Sequence, residues 1–471
     1  MKKLVPFILL LALIGTSLFS LSGCAEEEED LSVKIQEKVV AYQTDLKDSA
    51  ATLTSEEAIS DYLLSWAKQK GIDCTIDSSQ NVIMSVASSK AYKQANPAVI
   101  LCSYNANQFD SCIAPMACAL YLAKNNENTG KLRVIFVNDT GHNYDGIKAL
   151  SEKYFTDQTN VFCLGYSDRN MWSTNTGGRS TYRFTRKVSY TAPAKDKAYR
   201  IRIGGLPGGI PSSRISSYPN AIKELGNLLA YFKTNALIYE LGKVSGGSNA
   251  NTYPKSVSAT VVIDEDDTDK FEARMETAIE NFNDAYLEDY PEATYTYEEV
   301  DLPKQVMTEN SLNDIISLLY TLIDGVYYKD DEDNLISISS IGSMKEKDGV
   351  YTISATANSL SESVLSEIDN QYQIICGLAN ANYKKVSSQD GWHSDADSDF
   401  AKEIIKAFRD YAGAKMEFKD FVPAVNTSYV YEKNENCNII NIAFNEDKLE
   451  RYTGTILTFL LNQPHTEESE S

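Results

Sequence analysis

Histidine is almost missing from this chain: 471 residues carry three, His142, His393 and His465. A site that needs more than three imidazoles is therefore closed to it. An excess of positive charge is missing too. Against 66 acidic side chains stand 44 lysines and arginines, a net charge of −22. Nucleic-acid binding needs a basic footprint, and anionic lipid headgroups attract basic segments. Neither partner suits this surface. Cysteine is present without a framework: eight in all, seven of them beyond Cys24, an odd number at irregular spacing. That pattern is not a disulfide scaffold, and most of these thiols read as small buried apolar groups.

What is present begins with a compartment signal. Met1-Lys2-Lys3 is followed by an apolar, charge-free run over 4–21, ending at Leu21-Ser22-Gly23-Cys24. A basic start, an apolar stretch and small residues before a cut describe a secretory signal. The competing reading, a transmembrane anchor, would use a run at the short end of the roughly 17–25 residues that span a bilayer. Residues 25–30 hold four glutamates and an aspartate and read as a solvated tether.

The mature chain is long enough for two domains. Residues 31–70 read as two helices, the second opened by Thr54-Ser55-Glu56-Glu57 and closed by Gly71. Strand-like runs follow at 74–77 and 81–86. Continuous apolar runs at 97–103 (PAVILCS), 132–138 (LRVIFVN) and 161–164 read as buried parallel strands, with a helix over 112–124 between the first two. This alternation predicts an α/β domain with a mostly parallel sheet. From Tyr182 the pattern changes. A glycine-rich turn at 204–209 (GGLPGG), a helix over 218–234, and alternating segments at 256–263, 335–341 and 351–358 predict an inserted α+β domain. The acidic stretches 264–269 and 329–333 read as loops. A helix over 400–413 and a strand over 438–444 return to the α/β style. The expected division is 1–23 signal, 24–30 tether, 31–187 and 389–463 α/β domain, 188–388 insert, and 464–471 disordered tail.

Leu-Ser-Gly-Cys resembles a bacterial lipobox, which implies a diacylated Cys24, a lipid-anchored protein and an extracytoplasmic location at the cell membrane. Several motifs, in order, resemble the di-zinc metallopeptidases of the aminoacylhistidine dipeptidase, carnosinase and acetylornithine deacetylase type. They are Gly71-Ile72 through Asp77 to Asn81-Val82-Ile83, the 204–209 turn, residues 246–254 (GGSNANTYP), and Gly391-Trp392 with Asp397-Ser398. The resemblance implies a zinc-exopeptidase-like domain with a lid inserted into it, and a homodimer through the lid in some relatives.

The same resemblance implies ligand positions, and this chain fills them poorly. The H-x-D of the family falls at Ser103-Tyr104-Asn105. The bridging aspartate falls at Phe109, with Asp110 next to it. The general base and its neighbouring ligand fall at Asn138 and Asp139, followed by Thr140-Gly141. A later aspartate falls at Gly165, the lid histidine at Ile210 and the late acid near Asn426. Hydroxyl and carboxamide are weak zinc donors beside imidazole and carboxylate, and Asn138 cannot take a proton from water. The expectation is a pseudoenzyme without a catalytic residue or a cofactor. Its cleft at Ser103, Tyr104, Asn138, Asp139, Ile210 and Asn426 would hold a peptide, an amino-acid-like ligand or a protein partner. The alternative is a diverged zinc hydrolase, its site rebuilt from Cys102, Cys112, Cys163, Asp139 and His142. A Ser103–His142–acid nucleophile is a weaker option, because no Gly-x-Ser-x-Gly elbow surrounds Ser103. His393 beside Trp392 reads as packing, and His465 as part of the tail.

Overall fold

The computed structural model describes residues 31–125, 129–141, 143–209 and 219–466. The signal segment, Cys24, the tether, His142 and Ile210 lie outside the described residues.

The chain opens with α1 (Leu31–Ser49) and α2 (Glu56–Lys70). The start and stop signals act as read: Ser55 accepts a hydrogen bond from the Ala58 amide, and Gly71, at φ 71°, closes the helix on the Ala67 and Lys68 carbonyls. A hairpin of β1 (Asp73–Ile76) and β2 (Val82–Val86) leads into β3 (Ala98–Tyr104), α3 (Ile113–Lys124) and β4 (Leu132–Asn138). Then come α4 (Asp145–Ala149), β5 (Asn160–Gly165), β6 (Met171–Ser173) and the short β7 (Asn175–Thr176).

The insert runs through β8 (Gly178–Lys187), β9 (Tyr190–Thr191), β10 (Lys197–Gly204), α5 (Ala221–Thr234), β11 (Glu240–Gly247) and β12 (Val257–Ile263). It continues with α6 (Thr268–Tyr286), β13 (Thr294–Val300), β14 (Val306–Met307), α7 (Glu309–Thr321) and β15 (Gly325–Lys329). It ends with β16 (Leu335–Lys347), β17 (Val350–Ser359), α8 (Glu362–Leu378) and β18 (Asn382–Gln389). The chain returns through β19 (Trp392–His393), α9 (Asp399–Ala412), α10 (Thr427–Lys433), β20 (Asn438–Ala443) and α11 (Leu449–Leu461).

The first domain is a seven-stranded sheet ordered β1-β2-β4-β3-β5-β20-β6. Its centre is parallel: β3 lies between β4 and β5, and β5 pairs with β20. Helices α1, α2, α3, α9 and α11 cover one face through Ile100, Cys102, Phe136 and Phe162; α4 and α10 cover the other through Val99, Leu101, Ile135 and Val161. Successive strand residues face opposite layers, and this parity decides below which strand-end side chains reach the cleft.

The second sheet is antiparallel and ordered β13-β10-β12-β11-β16-β17-β8-β18, with β15 on β16. It contains two β-α-β-β-α-β modules. One is β10-α5-β11-β12-α6-β13. The other is β8, then α7-β16-β17-α8-β18. Each has the spatial strand order 4-1-3-2, and the two meet through their second strands at Gly246↔Met344 and Gly247↔Ser343. The sheet is thus doubled about a local twofold within one chain.

Three expectations are corrected. Strand β8 pairs with β17 and β18, so the crossing into the insert lies before Gly178 rather than at 187/188. The acidic stretch 264–269 is a turn only to Asp267; α6 begins at Thr268. The tail is not loose directly after Gln463. The His465 ring stacks on Tyr92 at 4.8 Å, and the Thr466 amide donates to the Ala91 carbonyl at 3.0 Å.

Candidate functional site

A cavity of about 290 Å³ opens where the parallel strands end and the insert faces them. Such sites, at strand carboxyl ends and between domains, are where α/β folds bind ligands. From the first domain come Ser103, Asn105, Asp139 and Gly165; from the segment before α10, Asn426; from the insert, Arg179, Asn251, Thr356, Asn358 and the turn residues Pro207, Gly208 and Gly209.

Strand parity sorts the expected positions. Ser103 follows Val99 and Leu101, Asp139 follows Ile135 and Val137, and Gly165 follows Val161 and Cys163, so all three belong to one face. They line the cavity together. Tyr104 and Asn138 have the opposite parity and are register partners in the β3/β4 ladder. Asn138 is not among the cavity's lining residues. Its amide donates to Glu56 of α2 and to the Ser79 carbonyl at 3.2 Å, and its Oδ1 accepts from the Thr140 amide at 3.0 Å. Its placement as a cleft residue is therefore corrected: it is a strut between β4, α2 and the β1/β2 hairpin. Tyr104 is fully buried, its phenol donating to the Gln80 carbonyl at 2.5 Å, and contributes wall only. Asp110 is exposed and faces a different surface groove, while Phe109 is buried.

The remaining positions are tied to one another. Asn426, 7% exposed, donates from Nδ2 to Ser103 Oγ at 2.7 Å. Asn105 caps the following turn by accepting from the Asn107 amide at 2.8 Å and donates to the Asp139 carbonyl at 2.9 Å. Asp139 Oδ1 accepts from the Tyr144 amide at 3.1 Å. At Gly165 a Cβ would meet nothing within 4 Å, so that position opens into free space.

Burial pushes the Asp139 carboxyl up to about 6; the Tyr144 amide and the Arg179 guanidinium pull the other way. Its charged surroundings are Arg179, Asp145 and Lys148. A carboxyl whose folded pKa lies above its ordinary 3.8 holds its proton more tightly when folded. Its contribution stabilises at low pH and is lost as pH rises from about 4 through 6. Relative to wild type, an Asp139→Asn variant should therefore gain stability as pH is raised across that window. Urea midpoints for both proteins at a series of pH values measure it; a constant difference would remove the buried-acid reading.

Arg179 is the residue that sequence reasoning missed. It stands near the start of β8, 9% exposed, with its guanidinium 4.4 Å over the Tyr144 ring, and so carries a cation from the insert onto the first domain. Tyr144 in turn donates to the Ala424 carbonyl and packs 5.3 Å from Tyr429. The available signal was one arginine inside an otherwise uncharged run, residues 177–182 (GGRSTY).

The described donors at the strand ends do not fit a di-zinc centre. Among the described residues no group of three or more His, Cys, Asp or Glu side chains could hold a metal ion. Nor do the thiols gather: Cys102 and Cys112 pack in one layer and Cys163 in the other.

A solved structure shares this arrangement. An aminoacylhistidine dipeptidase from Vibrio alginolyticus superposes with a TM-score of 0.60 at 18% identity, over 89% of this chain and 97% of that one. The chain has an aminoacylhistidine dipeptidase fold. Human carnosine dipeptidase 1 follows at 0.48, with 9% identity over 92% and 98% of the two chains. The dipeptidase Dug1p from Saccharomyces cerevisiae gives 0.47, with 12% identity over 92% and 98%. No protein-family model and no curated protein matches the sequence. The likeness is one of fold; the side chains in the cleft are this chain's own.

Proposed function

We propose that this is a non-catalytic binding protein, held at the outer face of the cell membrane by a lipid on Cys24, that uses a dipeptidase-type cleft to take up a short peptide or an amino-acid-like ligand. One observation carries the reading. Ser103 and Asn426, which the resemblance places at metal-ligand positions, are hydrogen-bonded directly to each other, and neither is a good zinc donor. The cleft keeps what binding needs: a cation at Arg179, an acid at Asp139 and carboxamides at Asn105, Asn251 and Asn358.

The purified domain, residues 31–471, should hold no stoichiometric zinc and leave dipeptides intact, yet a matching dipeptide should raise its melting temperature. At a hundred times its Kd a ligand adds about 2.7 kcal/mol of stability, and Arg179→Ala should abolish the shift. Elemental analysis, a dipeptide hydrolysis assay and a thermal-shift screen decide it; one or two tightly held zinc ions with chelator-sensitive cleavage would overturn it. Among the described residues no helix is long and apolar enough to cross a membrane. The anchor is tested separately. Cys24→Ser should abolish acyl labelling and release the protein, since a diacyl anchor supplies two chains of membrane affinity. Retention of the variant with an uncleaved signal would favour the transmembrane reading.

The protein should also act as a monomer. Its insert already joins two modules strand to strand, and the outer strands carry Glu298 and Glu299 on β13 and Lys384 and Lys385 on β18, charges of the kind that discourage edge pairing. Light scattering giving twice the chain mass would instead support a homodimer through the insert.

A further inference from the structure

We propose that the groove between α5 and α6, on the first module of the insert and apart from the cleft, is a binding site for a small organic ammonium ion. The groove has a volume of about 210 Å³, small for a drug-sized ligand but ample for a single cationic headgroup.

Its walls are aromatic and its one charge is negative. Tyr231 comes from α5, Phe282 and Tyr286 from α6, and Tyr295 from β13 behind them. Ala278 and Ala285 on α6 leave the space that larger residues would close. Glu224, in the first turn of α5, brings the carboxylate, which accepts from the Tyr286 phenol at 2.9 Å. No lysine or arginine lines the groove. The neighbouring Lys223 donates to the Tyr320 carbonyl at 2.5 Å and to the Leu322 carbonyl at 2.9 Å, outside the groove, while its charge also favours the Glu224 carboxylate.

Tyr295, 6% exposed, walls the groove from behind. Aromatic faces around a carboxylate are the arrangement that attracts ammonium cations, most strongly when both are shielded from water. Burial raises the Glu224 carboxyl, and a cation in the groove would offset that cost. The neutral polar groups at the rim, Asn227 and Asn281, fit a hydroxyl or carbonyl attached to the cation.

Choline and its uncharged carbon isostere, in which a quaternary carbon replaces the nitrogen, are the probes, titrated into the full mature protein by calorimetry. Choline should bind and the isostere should not. Glu224→Gln should weaken choline binding by about tenfold or more. Ala285→Leu, at the exposed rim, fills the groove without touching the carboxylate and should abolish binding with an unchanged melting temperature. If Glu224→Gln fails to fold, Ala285→Leu decides alone. Equal binding of both probes, undiminished choline binding by Ala285→Leu, or no heat at tens of millimolar choline overturns the proposal. A peptide in the strand-end cleft should not displace choline, so failure here and failure of the cleft reading are separate results.

Discussion

A chain carrying Ser103→His, Gly165→Asp and Asn426→Asp should bind zinc at least about a hundredfold more tightly than wild type, a gain of roughly 2.7 kcal/mol. Ser103 and Asn426 already touch through a 2.7 Å hydrogen bond. A side chain at 165 projects into open space, and Asp139 lines the same cavity. Three substitutions thus place an imidazole and three carboxylates around one volume, the donor types that zinc prefers. Asn138 is left alone because its side chain faces Glu56 and Ser79, and Asn105 because it holds the Asp139 carbonyl. Zinc affinity of the variant should rise steeply between about pH 5 and pH 7, since Asp139 must lose its proton to become a ligand. Competition against a chromophoric chelator measures both. A correctly folded variant no better than wild type would mean that these four positions do not converge. Recovery of hydrolysis is not expected, because Asn138, at the position the resemblance gives to the general base, cannot take a proton from water.

Gly247→Ala should be among the most damaging small substitutions in the insert, at a cost of about 2–5 kcal/mol from a strained backbone and an overpacked contact. Gly247 sits at φ +68°, and a Cβ there would lie 2.1 Å from the Gly342 carbonyl oxygen across the β11/β16 seam. Gly342 is equally confined: a Cβ would lie 2.1 Å from the Asn249 carbonyl oxygen. That seam also positions the cleft, because the loop behind it is held by Thr356, whose hydroxyl lies 2.9 Å from the Ala250 carbonyl and 2.6 Å from Asn251 Oδ1. Gly247→Ala should therefore lower both the urea midpoint and ligand affinity. Gly165→Ala, where a Cβ meets nothing, should change stability by less than about 0.5 kcal/mol. Similar losses for the two would show that the seam yields.

Much of the architecture could be read from local signals. The apolar runs of β3, β4 and β5 read as buried strands, and Ser55 with Gly71 marked the ends of α2, because capping and continuous apolarity are properties of short segments. The poverty of the expected ligand positions could be read as well: serine, glycine and asparagine stand at 103, 165 and 426. Locating the crossing into the insert was harder, because β8 reads like a core strand until its partners β17 and β18, far along the chain, are known.

The site itself divides along the same line. The sequence by itself determined the residue types at the strand ends, and with them the loss of good zinc donors at Ser103, Gly165 and Asn426. Only the tertiary structure decided which of those side chains share a space. Strand parity sends Ser103, Asp139 and Gly165 into the cleft and turns Tyr104 and Asn138 into the opposite layer. The insert then brings Arg179 onto Tyr144 from a different sheet. Parity and sheet pairing depend on register between distant segments, and a one-residue slip exchanges the two faces of a strand.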